Sequence, residues 1–198
     1  MKHSKGSLTV VVVDGETTLI HMAQCGDRNA FGELVLRYAH GVQHVIYRMC
    51  GNEQVAEDAA QETFIRAWLN LSSFRPQASL RNWLYRIAVN TAIDMLRKEK
   101  HILPGAMDEM PLKDQRPGPE ALFLTRERTA LVKKTILALP EASRAVLILR
   151  EYEGLSYQEI SDVLEIPVGT VMSRLNYART LLKEKLQPHL ASKEVEYV

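Results

Sequence analysis

From Thr17 onward the apolar residues of this chain recur three and four positions apart, and no stretch alternates with a period of two. A chain so patterned builds helix on helix, because each apolar stripe must be buried against another. The expected fold class is therefore all-α. Asp27 is placed to cap a helix burying Phe31, Leu34, Val35, Tyr38, Val42, Val45 and Ile46 and ending before Gly51. Asn52 opens a second helix with Val55, Ala59, Phe64, Ala67 and Trp68 inward. Residues 72–77 (SSFRPQ) read as a loop. Ser79 then caps a helix running to about Lys100 on the stripe Leu80, Leu84, Ile87, Ala88, Ala92 and Met95.

There the stripe stops. Residues 102–119 hold Pro104, Gly105, Pro111, Pro117, Gly118 and Pro119, and read as a flexible interdomain linker. The expected plan is two small helical domains, 17–101 and 120–187, with an unassigned extension at 1–16 and a tail at 188–198. A hydrophobic fraction of 46% supplies enough apolar surface for real cores. Cys25 and Cys50 form no CxxC pair, so the expected compartment is the reducing cytoplasm rather than a disulfide-forming one. The apolar run Leu8–Val13 ends at Asp14, too short for a signal peptide or for membrane insertion.

In the second domain, helices are expected at 120–139 and 141–153, followed by a closely spaced pair. Ser156 and Glu159 have the spacing of a capping box, opening a helix that buries Ile160, Val163 and Leu164 and stops near Glu165. The turn Ile166-Pro167-Val168-Gly169 leads to Thr170, expected to cap a second helix burying Val171, Leu175, Ala178 and Leu182. Such a pair is a helix-turn-helix, whose second member can enter a major groove of DNA.

A net charge of +1 does not by itself announce a nucleic-acid binder, but the arrangement of charge does. The second helix carries Arg174, Arg179, Lys183 and Lys185 against Glu184, whereas the stretch before it holds Glu151, Glu153, Glu159, Asp162 and Glu165 against Arg150. Phosphate attraction is thereby focused on the inserted element; a merely solvated charged face is the plainer alternative. A second basic patch, Arg75, Arg81, Arg86, Arg97, Lys98 and Lys100, is interleaved with Phe74, Trp83 and Tyr85. Arginine beside aromatic rings suits unstacked bases, although Trp83 equally suits a core position next to Trp68. Glu53, Glu57, Asp58 and Glu62 form an acidic stripe, either solvent surface or a protein-docking face.

Together these segments resemble a known family. The runs Asp58–Trp68 (DAAQETFIRAW), Ser73-Phe74-Arg75 and Trp83–Ala92 (WLYRIAVNTA) look like the promoter-melting domain of the extracytoplasmic-function sigma factors of bacterial RNA polymerase, nearest the envelope-stress, sigma-E-like branch. Leu155–Ile160 (LSYQEI), Pro167–Val171 (PVGTV) and Ser173-Arg174-Leu175 are similar to that family's domain for the upstream promoter element. The likeness spans about Thr17 to Leu186, with both domains in the family's order. It implies a non-enzymatic subunit that binds the β′ and β subunits of core polymerase and directs promoter-specific initiation. An anti-sigma factor, such as the cytoplasmic domain of a membrane protein, is the implied regulator.

Residue by residue, the resemblance implies that Asp58, Gln61 and Glu62 dock on the β′ coiled coil. It further implies that Phe74, Arg75 and Ser79 belong to a loop that captures a flipped −10 base, and that Asn82, Trp83, Arg86 and Asn90 lie on the helix that holds the opened strand. Unstacking a base costs a few kcal/mol, recovered by stacking and hydrogen bonding in a pocket. Ser156, Thr170, Met172, Ser173, Arg174, Tyr177 and Arg179 are the implied −35 contacts, and the linker threads near the active-site channel. Met172 and Tyr177 depart from the family, which places cations at those positions, so altered −35 preference is expected.

Two other classes of function make different demands on the sequence. A helix-turn-helix regulator acting without being a polymerase subunit predicts a dimerisation or ligand domain in the first half, and leaves the aromatic patch and acidic stripe without a role. An enzyme is not expected, since no nucleophile set, phosphate loop or carboxylate pair has motif-like spacing. His21 with Cys25 and His40 with His44 have i, i+4 spacing but no evident further ligands, so neither a metal nor a cofactor is expected.

Overall fold

A computed structural model describes residues 15–75, 79–102 and 120–191. The described residues form helices α1 (Gly15–Gln24), α2 (Arg28–Cys50), α3 (Glu53–Asn70), α4 (Leu80–Ile102), α5 (Glu120–Leu137), α6 (Glu141–Glu151), α7 (Tyr157–Leu164) and α8 (Val168–Ala191), with a single 3-10 turn at Leu71–Ser73 and no strand. The all-α expectation is met. Nearly all of the 102–119 linker, most of the 1–16 extension and most of the 188–198 tail lie outside the described residues.

The local signals explain where these helices begin and end. Asp27 accepts hydrogen bonds from the amides of Asn29 (2.8 Å) and Ala30 (3.2 Å), and Asn52 accepts from Val55 (3.1 Å). Ser79 Oγ accepts from the Asn82 amide at 3.1 Å, opening α4. Gly51 closes α2 in the left-handed region (φ 78°), its amide donating to the Tyr47 carbonyl. One cap differs from expectation. The Pro167 carbonyl accepts from Thr170 (2.8 Å) and Val171 (3.1 Å), so α8 begins at Val168 and Thr170 lies within its first turn. Backbone geometry at Pro167 starts the helix, leaving the threonine hydroxyl no capping role.

Helices α1 to α4 form one unit around Val42, Val45, Ile46, Met49, Leu84 and Ala88. Ala56, Ala59 and Ala67, all fully buried, let α3 lie close to its neighbours. Helices α6 to α8 form the second around Ile148, Leu149, Leu155, Ile160, Val171 and Leu175. The units are not separate: α2 packs on α5 and α6, and α4 packs on α7. A Cβ on Gly51 would fall 2.5 Å from Leu137 Cδ1, which shows how closely α5 meets the end of α2. Beside that joint Arg144 is buried, its guanidinium donating to the carbonyls of Met49, Leu137 (2.5 Å) and Leu139 (2.9 Å). Met49 and Leu137 stand in the last turns of α2 and α5, where carbonyls lack an intrahelical donor and a cation is favoured.

Candidate nucleic-acid and polymerase interfaces

Three surfaces carry the residues picked out in the sequence. On α3, Asp58 and Gln61 are exposed and Glu62 is half-exposed. Glu62 is tied to Arg66 at 2.8 Å, and Arg66 reaches Asp94 of α4 at 3.1 Å, so a cation intervenes in the acidic stripe. Both hydrogen bonds hold the Arg66 guanidinium above its ordinary pKa. Sequence reasoning missed the continuation of this face. Ile65 (55% exposed) and Leu69 (70%) follow Asp58 and Glu62 at helical spacing, so the stripe turns from acidic to apolar along one side of α3. The available signal was two large apolar residues in the polar phase of the helix.

Along α4, Ser79, Asn82, Trp83, Arg86 and Asn90 fall at i, i+3, i+4, i+7 and i+11 and share one face. Ser79, Asn90 and the neighbouring Arg75 are exposed. Phe74 is not: it is 5% exposed, with its ring 5.1 Å from that of half-buried Trp83. Tyr85 is also buried, its hydroxyl donating to Glu153 Oε2 at 2.6 Å. The expectation that Phe74 and Tyr85 offer free stacking faces is corrected here: both rings are taken up by packing. Burial and the Glu153 carboxylate together raise the Tyr85 phenol well above its usual range. Trp83 is half-buried against the core, as the plainer alternative has it, with Phe74 as its ring neighbour, while Trp68 packs on Phe31 with centroids 4.9 Å apart. Gln24 of α1, unremarked in the sequence, fixes the approach to this face by donating to the carbonyls of Leu71 (3.0 Å) and Phe74 (2.8 Å).

The third surface is the helix-turn-helix, α7 and α8. Ser156 and Glu159 complete the capping box: Ser156 Oγ accepts from the Glu159 amide (3.2 Å) and Glu159 Oε2 from the Ser156 amide (2.8 Å). Those bonds, with one from Asn82, hold the Glu159 carboxyl below the usual range. Ser156 is thus committed to capping. Met172, Ser173 and Tyr177 are exposed on α8, Thr170 and Arg174 are half-buried, and Arg179 is clamped to Glu151 through Nη2 (2.5 Å) and Nε (3.2 Å). Asn176, also exposed between Met172 and Tyr177, was not anticipated. Its position i+4 from Met172 and i+3 from Ser173 was the available signal. Asparagine is suited to paired hydrogen bonds with adenine, and methionine to a thymine methyl.

The expected i, i+4 histidine pair is real in space, with the His40 and His44 rings 3.8 Å apart. Burial foremost, and then the neighbouring His40, push the His44 imidazole pKa down. Among the described residues no three His, Cys, Asp or Glu side chains are grouped to hold a metal ion, and no helix is long and apolar enough to cross a membrane.

Residues 34–102 match sigma-70 region 2, and residues 129–182 match sigma-70 region 4. The chain is 38% identical over 188 residues to the ECF RNA polymerase sigma-E factor of Escherichia coli K12, covering 87% of this chain and 95% of that protein. It is 40% identical over 185 residues to the RNA polymerase sigma-H factor of Pseudomonas aeruginosa, covering 87% of this chain and 94% of that one. The chain belongs to the extracytoplasmic-function sigma factors. It is therefore a transcription-initiation factor of the sigma-E kind. The structure of CnrH in complex with the cytosolic domain of CnrY is similar to this sigma factor, at 28% identity and a TM-score of 0.67 over 88% of this chain and 99% of CnrH. The sigma factor RpoE from Bartonella quintana, solved in complex with the anti-sigma factor NepR, shares the fold at 24% identity and a TM-score of 0.64, over 79% of this chain and 96% of that one.

Proposed function

We propose that this sigma factor binds core RNA polymerase in the cytoplasm and directs initiation at two-element promoters. The observation that carries this is the presence of both sigma modules, in order, within a chain 40% identical to a sigma-H factor over nearly that protein's whole length. In this reading the region 2 unit spans 17–101 and the region 4 unit 120–187. Asp58, Gln61 and Glu62, extended by Ile65 and Leu69, meet the β′ coiled coil, the acids steering the approach and the apolar pair supplying buried area. Arg75, Ser79, Asn82, Trp83, Arg86 and Asn90 hold the opened −10 strand, with Phe74 supporting Trp83 from behind. Thr170, Met172, Ser173, Arg174, Asn176, Tyr177 and Arg179 meet the −35 duplex, with Ser156 shaping the helix pair that presents them. The protein contributes positioning and binding energy and performs no covalent chemistry itself. An anti-sigma partner belongs to the proposal, supported by family membership and by the CnrH complex with a cytosolic protein domain. A regulator acting without polymerase would leave the mixed acidic and apolar face of α3 idle. Run-off transcription with purified core polymerase and the full chain tests the proposal. A promoter-dependent transcript is expected, and absence of core binding would sink it.

A further inference from the structure

Burial shows which side of α8 points away from the protein. Val171, Leu175 and Ala178 are buried, so the opposite side is the crown, and it carries Gly169, Ser173, Asn176 and Thr180. These fall at i, i+4, i+7 and i+11 on one line, and all are exposed. Met172 and Tyr177 flank the line, and no cation stands on it. Arg174 is half-buried around the helix, and the Arg179 fork is held by Glu151. A helix-turn-helix presents the first turns of its second helix to base edges in the major groove, so Gly169, Ser173 and Asn176 reach deepest.

Their hydrogen-bonding capacity differs. Ser173 Oγ donates to the Thr170 carbonyl at 3.0 Å and keeps only its capacity to accept. Asn176 has no hydrogen-bond partner among the described residues, and its carboxamide offers a donor and an acceptor side by side. Adenine presents the complementary pair, the N7 acceptor and the N6 donor. Guanine presents two acceptors, O6 and N7, which call for the paired donors of an arginine or lysine. The crown has neither.

Gly169 adds an independent observation. Its φ is not in the left-handed region, and a Cβ there would meet nothing within 4 Å. Neither backbone conformation nor packing needs a glycine, although glycine weakens a helix relative to alanine. The room it leaves lies outside the protein, one turn before Ser173 and two before Asn176.

We propose that Asn176 reads one adenine of the −35 element through N7 and N6, and that Gly169 is bare so that α8 lies close enough for this short side chain to reach. The proposal rests on the reading of α8 as the −35 helix. It makes adenine, not guanine, the base required beneath the crown.

The test uses the full chain assembled with core polymerase, on a promoter from which it initiates in run-off assays. Each adenine of the −35 element, on either strand, is replaced in turn by 7-deazaadenine, which loses the N7 acceptor and still pairs with thymine. At one adenine the parent holoenzyme should lose about fivefold in affinity. Asn176→Ala should lose at least as much on the unmodified promoter and be indifferent to 7-deazaadenine at that same position. Gly169→Ala should weaken promoter binding by a similar factor while leaving the urea midpoint of the free chain equal or higher, a combination that a structural role does not give. A parent indifferent to 7-deazaadenine throughout, or a variant as sensitive as the parent, overturns the proposal and leaves α8 on the −35 element. Parental affinity in Gly169→Ala overturns the close approach. If scrambling the whole −35 element leaves holoenzyme affinity unchanged, the −35 reading itself falls and takes this proposal with it.

Discussion

Replacing Arg144 with methionine removes a guanidinium that serves three backbone carbonyls at the joint between the two units. The native contact is close to balanced. Hydrogen bonds to a charged group give about 1.5–3 kcal/mol each, but stripping a guanidinium of water costs several kcal/mol, and burial indeed lowers the pKa of this arginine. The substitution is not balanced. Methionine fills the space of the stem, yet the carbonyls of Met49, Leu137 and Leu139 stay behind without donors. Each buried orphan costs about 1–3 kcal/mol, and water reaching part of the joint recovers some of it, so a net loss of about 3 kcal/mol is expected. Urea unfolding of the full chain, followed by far-ultraviolet circular dichroism, measures it. Trp68 and Trp83 both lie in the first unit, so their fluorescence shows whether that unit is destabilised as well. Arg144→Lys keeps the charge but not the fork, and should recover less than half of the loss. A methionine variant within about 0.5 kcal/mol of the parent would refute the reasoning, because it would mean that the carbonyls need no donor.

Gly51→Ala should cost about 2–4 kcal/mol in the same assay, since it combines a left-handed φ of 78° with a Cβ 2.5 Å from Leu137; a smaller loss would mean that Leu137 swings aside. Asp58→Lys with Leu69→Ser should weaken core-polymerase binding at least tenfold in a pull-down titration, on the order of 1.4 kcal/mol or more, while leaving −35 duplex binding within twofold. Equal loss of both would mark that side of α3 as structural. Met172→Arg should tighten −35 duplex binding and steepen its salt dependence by about one phosphate contact; an unchanged salt slope would take Met172 off the DNA face. Acid should loosen the start of α7. The folded-state pKa of Glu159 is depressed, so its contribution is complete above the unfolded carboxylate pKa and disappears as pH falls through the folded value. Amide exchange at Ser156 and Glu159 should rise over that window, and Glu159→Gln should abolish the pH dependence.

The helices were legible because their signals are local. Asp27, Asn52, Ser79 and Ser156 cap as their spacing implies, and Gly51 ends α2 where a left-handed residue is required. Thr170 shows the limit of that reading: a residue type suited to capping was passed over because the backbone at Pro167 started the helix first. The family and the two-module plan were legible too, since runs such as Trp83–Ala92 and Pro167–Val171 are contiguous in the chain. The acidic stretch before α8 was seen, but its partners in the fold were not. Whether Glu153, Glu159 and Glu165 meet solvent, DNA or protein depends on partners 68 to 79 residues away. The burial of Phe74 was hidden for the same reason, since an aromatic beside arginines reads alike whether its ring faces solvent or the core. Sequence alone determined most of the helices and caps and the two sigma modules, because turns and apolar stripes are set by neighbours within a few positions. Only the tertiary structure decided that α7 of the second module packs on α4 of the first. That outcome depends on how two finished surfaces meet, and no local pattern encodes it.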